Sequence, residues 1–337
     1  MNNTKETIVQ KLASRVPFKN AIIPTRYKRS GNNSTWSKSF IAEEGKELEA
    51  LSKMFDLTVT TKMRELFKAA TSGDGDERSK IVTLHSSSLL AFLSFFDVSN
   101  HPITIDKRQY NEVMFEVKNN VINNSPGKSN IDVLLMGENR KKLLFLESKF
   151  TEYLSGGKVT LSPHRYETFY NNLTKKLDCP FSAGYPTVNS KTDNSQKTQY
   201  ALYKGKKTSE YLEGIKQVFS HLLGIATGPA KIQTKGNEVY TRSLLENADE
   251  IKFASIVFNC DNDKFENYKN LYESVFENSE VILETIKEVL PKSEIKLTIV
   301  PKLLQYQEVF EDNYLSDKVR EFYDVVNDSK IRFSNNI

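Results

Sequence analysis

The sequence predicts an α/β fold in which helices flank a mixed central β-sheet, with a mostly helical region before it. Two apolar runs, 130–136 and 142–150, are separated by the turn signal at 137–140, as in a β-hairpin. Two further apolar runs, 251–258 and 295–300, are separated by a long helical pattern. This β-α-β order extends the sheet in the manner of an α/β protein.

Length and composition limit the class of protein. The 337 residues are enough for one large domain or two smaller ones, and 20 Phe with 15 Tyr supply a hydrophobic core. No apolar run approaches 18 residues, so no transmembrane helix is expected. The polar N-terminus predicts no signal peptide, and Cys179 and Cys260 form no disulfide framework or metal-ligand spacing. Together these features predict a cytoplasmic protein.

The net charge is only mildly basic, at +4 from 47 basic and 43 acidic residues. A nucleic-acid enzyme needs local positive charge and not a large total. The charge therefore permits nucleic-acid binding without arguing for it.

Three regions are predicted along the chain. Residues 1–80 form a mostly helical N-terminal region, residues 81–305 form the core, and residues 306–337 form a C-terminal helix packed on the core. A stretch rich in Pro, Gly, Ser, Asn and Lys, 178–208, is predicted to be a loop insertion.

Apolar periodicity and turn residues predict the other elements. The expected helices are two within 43–70, then 84–98 with Ser86 or Ser87 near its N-cap, 165–177, 209–224 ended by Gly224, 268–290 ended by Pro291, and 305–328; a strand at 114–121 feeds the hairpin through a turn at 125–127.

The hairpin carries charged residues that apolar strands seldom contain. Side chains alternate faces along a strand, so Glu147 and Lys149 share a face with Leu143 and Phe145. A two-residue turn at Asn139-Arg140 would pair Met136 with Leu143 and place Asp132 opposite Glu147, with Cβ atoms about 5 Å apart.

Two opposed carboxylates repel each other, and this repulsion needs compensation. Mg²⁺ provides it, because it binds one or two protein carboxylates together with phosphate oxygens and waters. Lys149, beside Glu147, is suited to hold a water or to offset negative charge on a phosphate.

Asp132, fourteen intervening residues and then Glu147-Ser148-Lys149 resemble the core motif of the PD-(D/E)XK nuclease superfamily. The resemblance implies a restriction-endonuclease-like core and a Mg²⁺ cofactor, with Mn²⁺ as a substitute. It implies metal binding by Asp132, Glu147 and the carbonyl of Ser148, and positioning or activation of the water nucleophile by Lys149. One departure is that Ile131, not Pro, precedes Asp132.

Further candidates surround this motif. Glu116, within the strand at 114–121, is a possible additional catalytic acid, and the alternative is a Glu116–Lys118 pair on a wet face. Gln217 and His221 lie opposite the apolar stripe of the helix at 209–224, where the resemblance implies a Gln or a basic residue, and this face meets either water or the cleft. Glu152 is a candidate accessory ligand, whereas His85 is interpreted as structural.

The predicted function is a Mg²⁺-dependent endonuclease that hydrolyses DNA phosphodiester bonds, of the restriction or defence type. The resemblance implies double-stranded DNA as the partner and allows a homodimer, and no membrane partner is expected. Two alternatives stay open. One is a catalytically inactive nucleic-acid-binding protein of the same fold, and the other is an unrelated α/β protein in which Glu-x-Lys occurs by chance.

Overall fold

The computed structural model describes residues 4–17, 22–28, 34–40, 45–72, 81–120, 122, 128–154, 162–163, 166–177, 199–200, 212–230 and 239–326. In chain order the elements are α1 Lys5–Arg15, β1 Ile22–Lys28, β2 Ser34–Phe40, α2 Glu47–Phe55, α3 Thr61–Ala70, α4 Ser87–Phe95, β3 Ile103–Ile105, β4 Arg108–Tyr110, β5 Glu112–Asn120, β6 Lys128–Gly137, β7 Lys142–Lys149, a 3-10 turn Glu152–Leu154, β8 Ser162–Pro163, α5 Glu167–Lys176, β9 Gln199–Tyr200, α6 Leu212–Thr227, α7 Arg242–Asn247, β10 Glu250–Val257, α8 Asp263–Phe276, α9 Ser279–Val289, β11 Leu297–Ile299, β12 Leu304–Gln305, α10 Tyr306–Asp312 and α11 Asp317–Asp324.

The central sheet is mixed, with the strand order β11-β10-β7-β6-β5 and with β12 also beside β10. Strands β5, β6 and β7 form an antiparallel meander, whereas β10 pairs in parallel with β7, β11 and β12. Strand β7 is therefore central and lies between the antiparallel and parallel halves. Its interior residues are buried on both faces, as expected of a strand that helices cover on each side.

The hairpin β6–β7 has the predicted turn and register. The N–H of Lys141 donates to the carbonyl of Glu138 at 3.1 Å, and Asn139 and Arg140 have φ values of 54° and 66°. This is the geometry of a type I′ turn, whose twist matches that of the flanking strands. Met136 pairs with Leu143, which confirms the predicted register.

Helices cover both faces of the sheet. Helix α4 begins as predicted at Ser86, whose Oγ accepts from the N–H of Leu89 at 3.1 Å. The side chain of Ser148, on β7, bonds to the carbonyl of Ser87 and to the hydroxyl of Tyr306, so α4 and α10 lie on its side. Glu147 projects to the opposite face, where α6 packs on β5 and β6. The sequence therefore yields an α/β fold with a mixed central sheet flanked by helices.

Three predicted helices differ in the structure. The stretch 268–290 is part of two helices, α8 and α9, which meet at Asn278, whose side-chain amide bonds to the carbonyl of Ser274 at 3.1 Å. The stretch 305–328 contains α10 and α11, separated at Asn313, which has an extended backbone. Gly224 was expected to end its helix, but α6 continues to Thr227 and stops before Gly228, whose φ is 102°.

The region 1–80 contains α1, α2 and α3 and also an antiparallel hairpin, β1–β2, that the sequence analysis did not predict. One hydrophobic core joins residues from all three predicted regions, and the boundaries near 80 and 305 stay predictions. The predicted turn at 125–127, the start of the helix at 209 and most of the insertion at 178–208 lie outside the described residues.

Candidate active site

Three acidic residues occupy one cross-strand row of the sheet. The pairs Phe115–Val133 and Val117–Ile131 flank Glu116 and Asp132, which are therefore opposite each other on β5 and β6. Val133 pairs with Leu146 at the end of the β6–β7 ladder, so one further step in the same register places Asp132 opposite Glu147. The row thus runs Glu116, Asp132, Glu147 across three neighbouring strands.

The backbone of Glu116 interrupts this regular row. Glu116 has a φ of 51°, a region that non-glycine residues seldom adopt, and it forms no ladder pair with Asp132. Its side chain is 7% exposed and that of Lys118 on the same strand is 4% exposed. The wet-face pair considered for these residues is therefore wrong. A backbone held in this region is typical of functional sites, where surrounding structure stabilises it.

Asp132 is fixed by the main chain of β7. Its Oδ2 accepts a hydrogen bond of 2.7 Å from the N–H of Ser148. Asp132 keeps some solvent contact, although protein atoms surround it densely. Burial and the neighbouring charges of Glu147 and Glu116 raise the pKa of Asp132 well above its ordinary value, and Lys149 and the Ser148 N–H offset this only in part. Without a cation, Asp132 keeps its proton to a higher pH than an exposed aspartate.

Glu147 and Lys149 form a buried ion pair, with 2.5 Å between Nζ and Oε1 and side chains 2% and 14% exposed. Burial alone would raise the pKa of Glu147, but the charge of the neighbouring Lys149 counters burial, and this pKa lies below its ordinary value. Burial alone would lower the pKa of Lys149, but Glu147 and Asp132 outweigh it and raise that pKa. Lys149 is therefore a fixed cation at neutral pH, suited to orient a water or stabilise negative charge.

His221 reaches this cluster from α6. Its Nε2 is 2.9 Å from Oε2 of Glu147, and its Nδ1 is 2.7 Å from Oγ of Ser129. Although Nε2 and Oε2 are close enough for an ion pair, they are not aligned as donor and acceptor, and among the described residues neither atom has a hydrogen-bond partner. From the sequence, the helix face of His221 could have met either water or the catalytic residues. No sequence pattern pointed to Ser129.

A close approach of α6 to the sheet positions His221. A Cβ atom at Gly224 would lie 2.8 Å from Cβ of Ser129 and 3.1 Å from Cβ of Asn119. Only glycine allows this approach, one turn after His221, so that the imidazole lies between Ser129 and Glu147. The role of Gly224 is thus helix–sheet packing.

The remaining predicted residues lie at the edge of this cluster. Gln217 lies one turn before His221 on α6, is half-buried, and makes no hydrogen bond with another described residue. Oε2 of Glu152 accepts from the N–H of Phe150 at 2.6 Å, and the charge of Glu152 contributes to raising the pKa of Lys149. His85 has no proposed role in this cluster. Burial, and to a smaller extent the charge of Lys5, lower its pKa to about 4.

The residues present fit a hard divalent cation. In the part of the chain that the structure describes, no three or more His, Cys, Asp or Glu side chains are grouped as ligands of one ion. Mg²⁺ needs only one or two carboxylates, because waters and phosphate oxygens complete its shell. Asp132 and Glu147 would supply these carboxylates, and Oε2 of Glu147 is a buried acceptor without a donor among the described residues. A cation would stabilise both carboxylates in the charged form.

No protein-family model, curated protein or solved structure matches this chain. Within the described ranges, no helix combines the length and apolar character that crossing a membrane requires. The geometry of the cluster around Asp132 and Glu147 is therefore the basis for proposing a function.

Proposed function

We propose that this protein is a metal-dependent phosphodiester hydrolase that cuts DNA. The observation that carries this proposal is a hydrogen bond between the two parts of the motif. The N–H of Ser148, the residue between Glu147 and Lys149, donates to Asp132 across the strand pair. Asp132 and Glu147, with fourteen residues between them, are thereby joined in one buried cluster of carboxylates beside the ammonium group of Lys149, as expected of the PD-(D/E)XK motif.

In this proposal Asp132 and Glu147 hold Mg²⁺ or Mn²⁺, with the main-chain carbonyl of Ser148 as a further ligand by the resemblance. The bound ion would act as a Lewis acid on the phosphate and lower the pKa of a water molecule. The raised pKa of Lys149 keeps its ammonium protonated, so Lys149 orients the water and offsets charge that develops on the phosphate oxygens.

Two further residues have supporting roles in the proposal. Glu116 raises the pKa of Asp132 and adds a third carboxylate to the row. Gln217 lies on the helix that follows the Glu147-Ser148-Lys149 strand, the element on which the resemblance implies a Gln or a basic residue. Gln217 would contact the DNA backbone or the water from the α6 side of the cluster.

The arrangement of elements supports the same proposal. Helix α4 precedes the hairpin, α6 follows it, and a mixed sheet lies between them. This order agrees with a restriction-endonuclease-like core, and the resemblance makes double-stranded DNA the proposed substrate. A restriction or defence role and a homodimer that cuts both strands extend the proposal.

The test is cleavage of plasmid and phage DNA by the purified chain with Mg²⁺, with Mn²⁺ and with EDTA, beside Lys149→Ala. Discrete fragments that require both a metal ion and Lys149 would support a sequence-specific endonuclease. Nicking or smearing with the same dependence would support a nuclease of low specificity. DNA binding without cleavage of either DNA under any condition would favour the catalytically inactive binding protein.

A further inference from the structure

We propose that His221 is a direct metal ligand together with Glu147, and that the site therefore prefers Mn²⁺ or a similar transition-metal ion over Mg²⁺. This inference rests on the proposed function, because it concerns the same cation. It adds a nitrogen ligand to a site for which the motif supplies only oxygen ligands.

One atom of His221 and one of Glu147 lie at the spacing of two ligands of the same ion. Nε2 of His221 and Oε2 of Glu147 are 2.9 Å apart, and both are buried without a hydrogen-bond partner among the described residues. Two adjacent ligands of an octahedral ion, each about 2.1 Å from it, are about 3 Å apart. Each ligand then directs its lone pair at the ion and not at the other ligand. The pair has this distance and lacks the alignment of a hydrogen bond.

Ser129 favours the tautomer of His221 that can bind a metal ion. Nδ1 of His221 is 2.7 Å from Oγ of Ser129, a partner to which an N–H at Nδ1 can donate. The tautomer with its proton on Nδ1 leaves a lone pair on Nε2. Histidines that bind metals usually donate their other ring N–H in this way, which fixes the ring and raises its basicity.

Packing around His221 preorganises the imidazole beside Glu147. His221 is 3% exposed, its ring lies 6.1 Å from that of Phe253, and Gly224 holds α6 close to the Ser129 strand. This packing favours the position of the imidazole beside the carboxylate. A buried nitrogen held at ligand distance from a carboxylate is costly unless something binds it.

The choice of ion follows from the ligands. Imidazole suits transition-metal ions such as Fe²⁺ and Zn²⁺, whereas carboxylate and water ligands suit both Mg²⁺ and Mn²⁺, so Mn²⁺ is the transition-metal ion that matches the oxygen ligands of this site. A Glu147–His221 pair, with Asp132 nearby, therefore selects the transition-metal ions. In the competing arrangement, a protonated His221 is only an ion-pair partner of Glu147, and the ring then binds no cation.

The experiment is pulsed electron paramagnetic resonance of Mn²⁺ added alone to the full chain at neutral pH. Coupling to a ¹⁴N nucleus is detected when an imidazole nitrogen is bonded to the ion. The variants are His221→Asn, which keeps a neutral polar side chain of similar size, and His221→Gln as a second substitution. His101→Ala is the matched control, because His101 also contacts a carboxylate, Asp97, but is exposed.

The expected result is nitrogen coupling in the unmodified chain and in His101→Ala, and its loss in both His221 variants. Titration should show Mn²⁺ affinity reduced about 10- to 100-fold by His221→Asn, and Mg²⁺ affinity changed less than about threefold. If one of the two His221 variants does not fold, the other still tests the loss of coupling, and an unmodified chain that binds Mn²⁺ without nitrogen coupling excludes His221 without any variant.

Two outcomes would overturn the inference, and they differ in what they leave standing. Mn²⁺ binding that Asp132→Asn abolishes, but with no nitrogen coupling, would exclude His221 as a ligand and leave the proposed nuclease intact. Absence of any Mn²⁺ binding at millimolar concentrations would overturn both the ligand role of His221 and the metal dependence of the proposed function.

Discussion

The N–H of Ser148 lies 2.7 Å from Oδ2 of Asp132, so the main chain of one strand holds the carboxylate of the next. This bond fixes the orientation of Asp132 independently of any cation. It also links the two halves of the motif. Because the donor is a main-chain N–H, substitutions of the side chain at 148 would leave this bond in place. Burial nevertheless raises the pKa of Asp132 well above its ordinary value of 3.8.

We expect Asp132→Asn to stabilise the metal-free protein increasingly as pH rises. The folded state binds the Asp132 proton more tightly than the unfolded state does. The stabilisation from that proton is complete below pH 3.8 and is lost as pH rises through the raised pKa of the folded protein. Asparagine has no such loss and can still accept from Ser148. Thermal unfolding in EDTA between about pH 4 and pH 8 measures the difference in Tm.

The matched substitution is Asp249→Asn, at an exposed aspartate whose side chain lies 3.9 Å from Lys141. A Tm difference between Asp132→Asn and the unmodified protein that stays constant over this pH range would contradict the prediction. The same Asp132→Asn protein should not cut DNA, because it lacks one of the two proposed carboxylate ligands.

We expect Lys149→Ala to reduce DNA cleavage by about 10²- to 10³-fold or more, since it removes the cation that would stabilise charge on the phosphate. Metal binding should persist, because Asp132 and Glu147 remain. The measurement is the rate of plasmid cleavage at saturating Mg²⁺. Lys142→Ala is the control, at the opposite end of the same strand. Full activity in Lys149→Ala, with correct folding by circular dichroism, would exclude the proposed site.

The hairpin could be predicted from the sequence because its determinants are local. The turn residues Asn139 and Arg140 and the alternation of side chains fix the register, which brings Asp132 opposite Glu147. The N-cap at Ser86 was readable for the same reason. A cap and a two-residue turn depend on neighbours only a few residues away.

The rest of the site depends on contacts between distant segments. The parallel pairing of β7 with β10 joins residues about a hundred positions apart. The place of His221 depends on how closely α6 approaches Ser129, and an isolated Gly224 reads equally well as a helix end. The breaks at Asn278 and Asn313 were missed because apolar periodicity continues on both sides of each. The positive φ of Glu116 could not be predicted, because no sequence pattern signals it.

We expect Glu116→Gly to be more stable than Glu116→Ala by about 1 kcal/mol, since a left-handed backbone is unfavourable for a residue with a Cβ. Both substitutions remove the same carboxylate, so their difference in the free energy of unfolding isolates the backbone. Urea unfolding of the two variants measures it. Equal stabilities would show that φ at this position relaxes. Cleavage should fall in both, because Glu116 belongs to the proposed site.

We expect Tyr306→Phe to destabilise the protein by about 1 kcal/mol, because its hydroxyl bonds to Oγ of Ser148 at 2.7 Å in a buried place. Tyr323→Phe is the control. The Tyr323 hydroxyl is buried and has no hydrogen-bond partner among the described residues, so its removal should be neutral or stabilising. Thermal unfolding distinguishes the two, and equal shifts in Tm would show that the Ser148–Tyr306 bond does not contribute.

The packing of α6 gives the last prediction. Gly224→Ala would improve the helix propensity by about 1 kcal/mol, but its Cβ would lie 2.8 Å from Cβ of Ser129, where no atom can fit without movement. Overpacking of this kind costs about 1–3 kcal/mol, so we expect a net loss of stability.

Relief of the clash at Gly224 must push α6 away from β6 and take His221 with it. Metal affinity in Gly224→Ala should therefore fall even though every proposed ligand is retained. Ser129→Gly in the same chain removes the closest clashing atoms and should restore part of the lost stability, although the Nδ1 partner of His221 is then missing. Urea unfolding and Mn²⁺ titration of the single and double variants measure the two effects separately. A Gly224→Ala protein that is more stable than the unmodified chain would contradict the prediction. It would mean that a Cβ at position 224 lies farther than 2.8 Å from Cβ of Ser129.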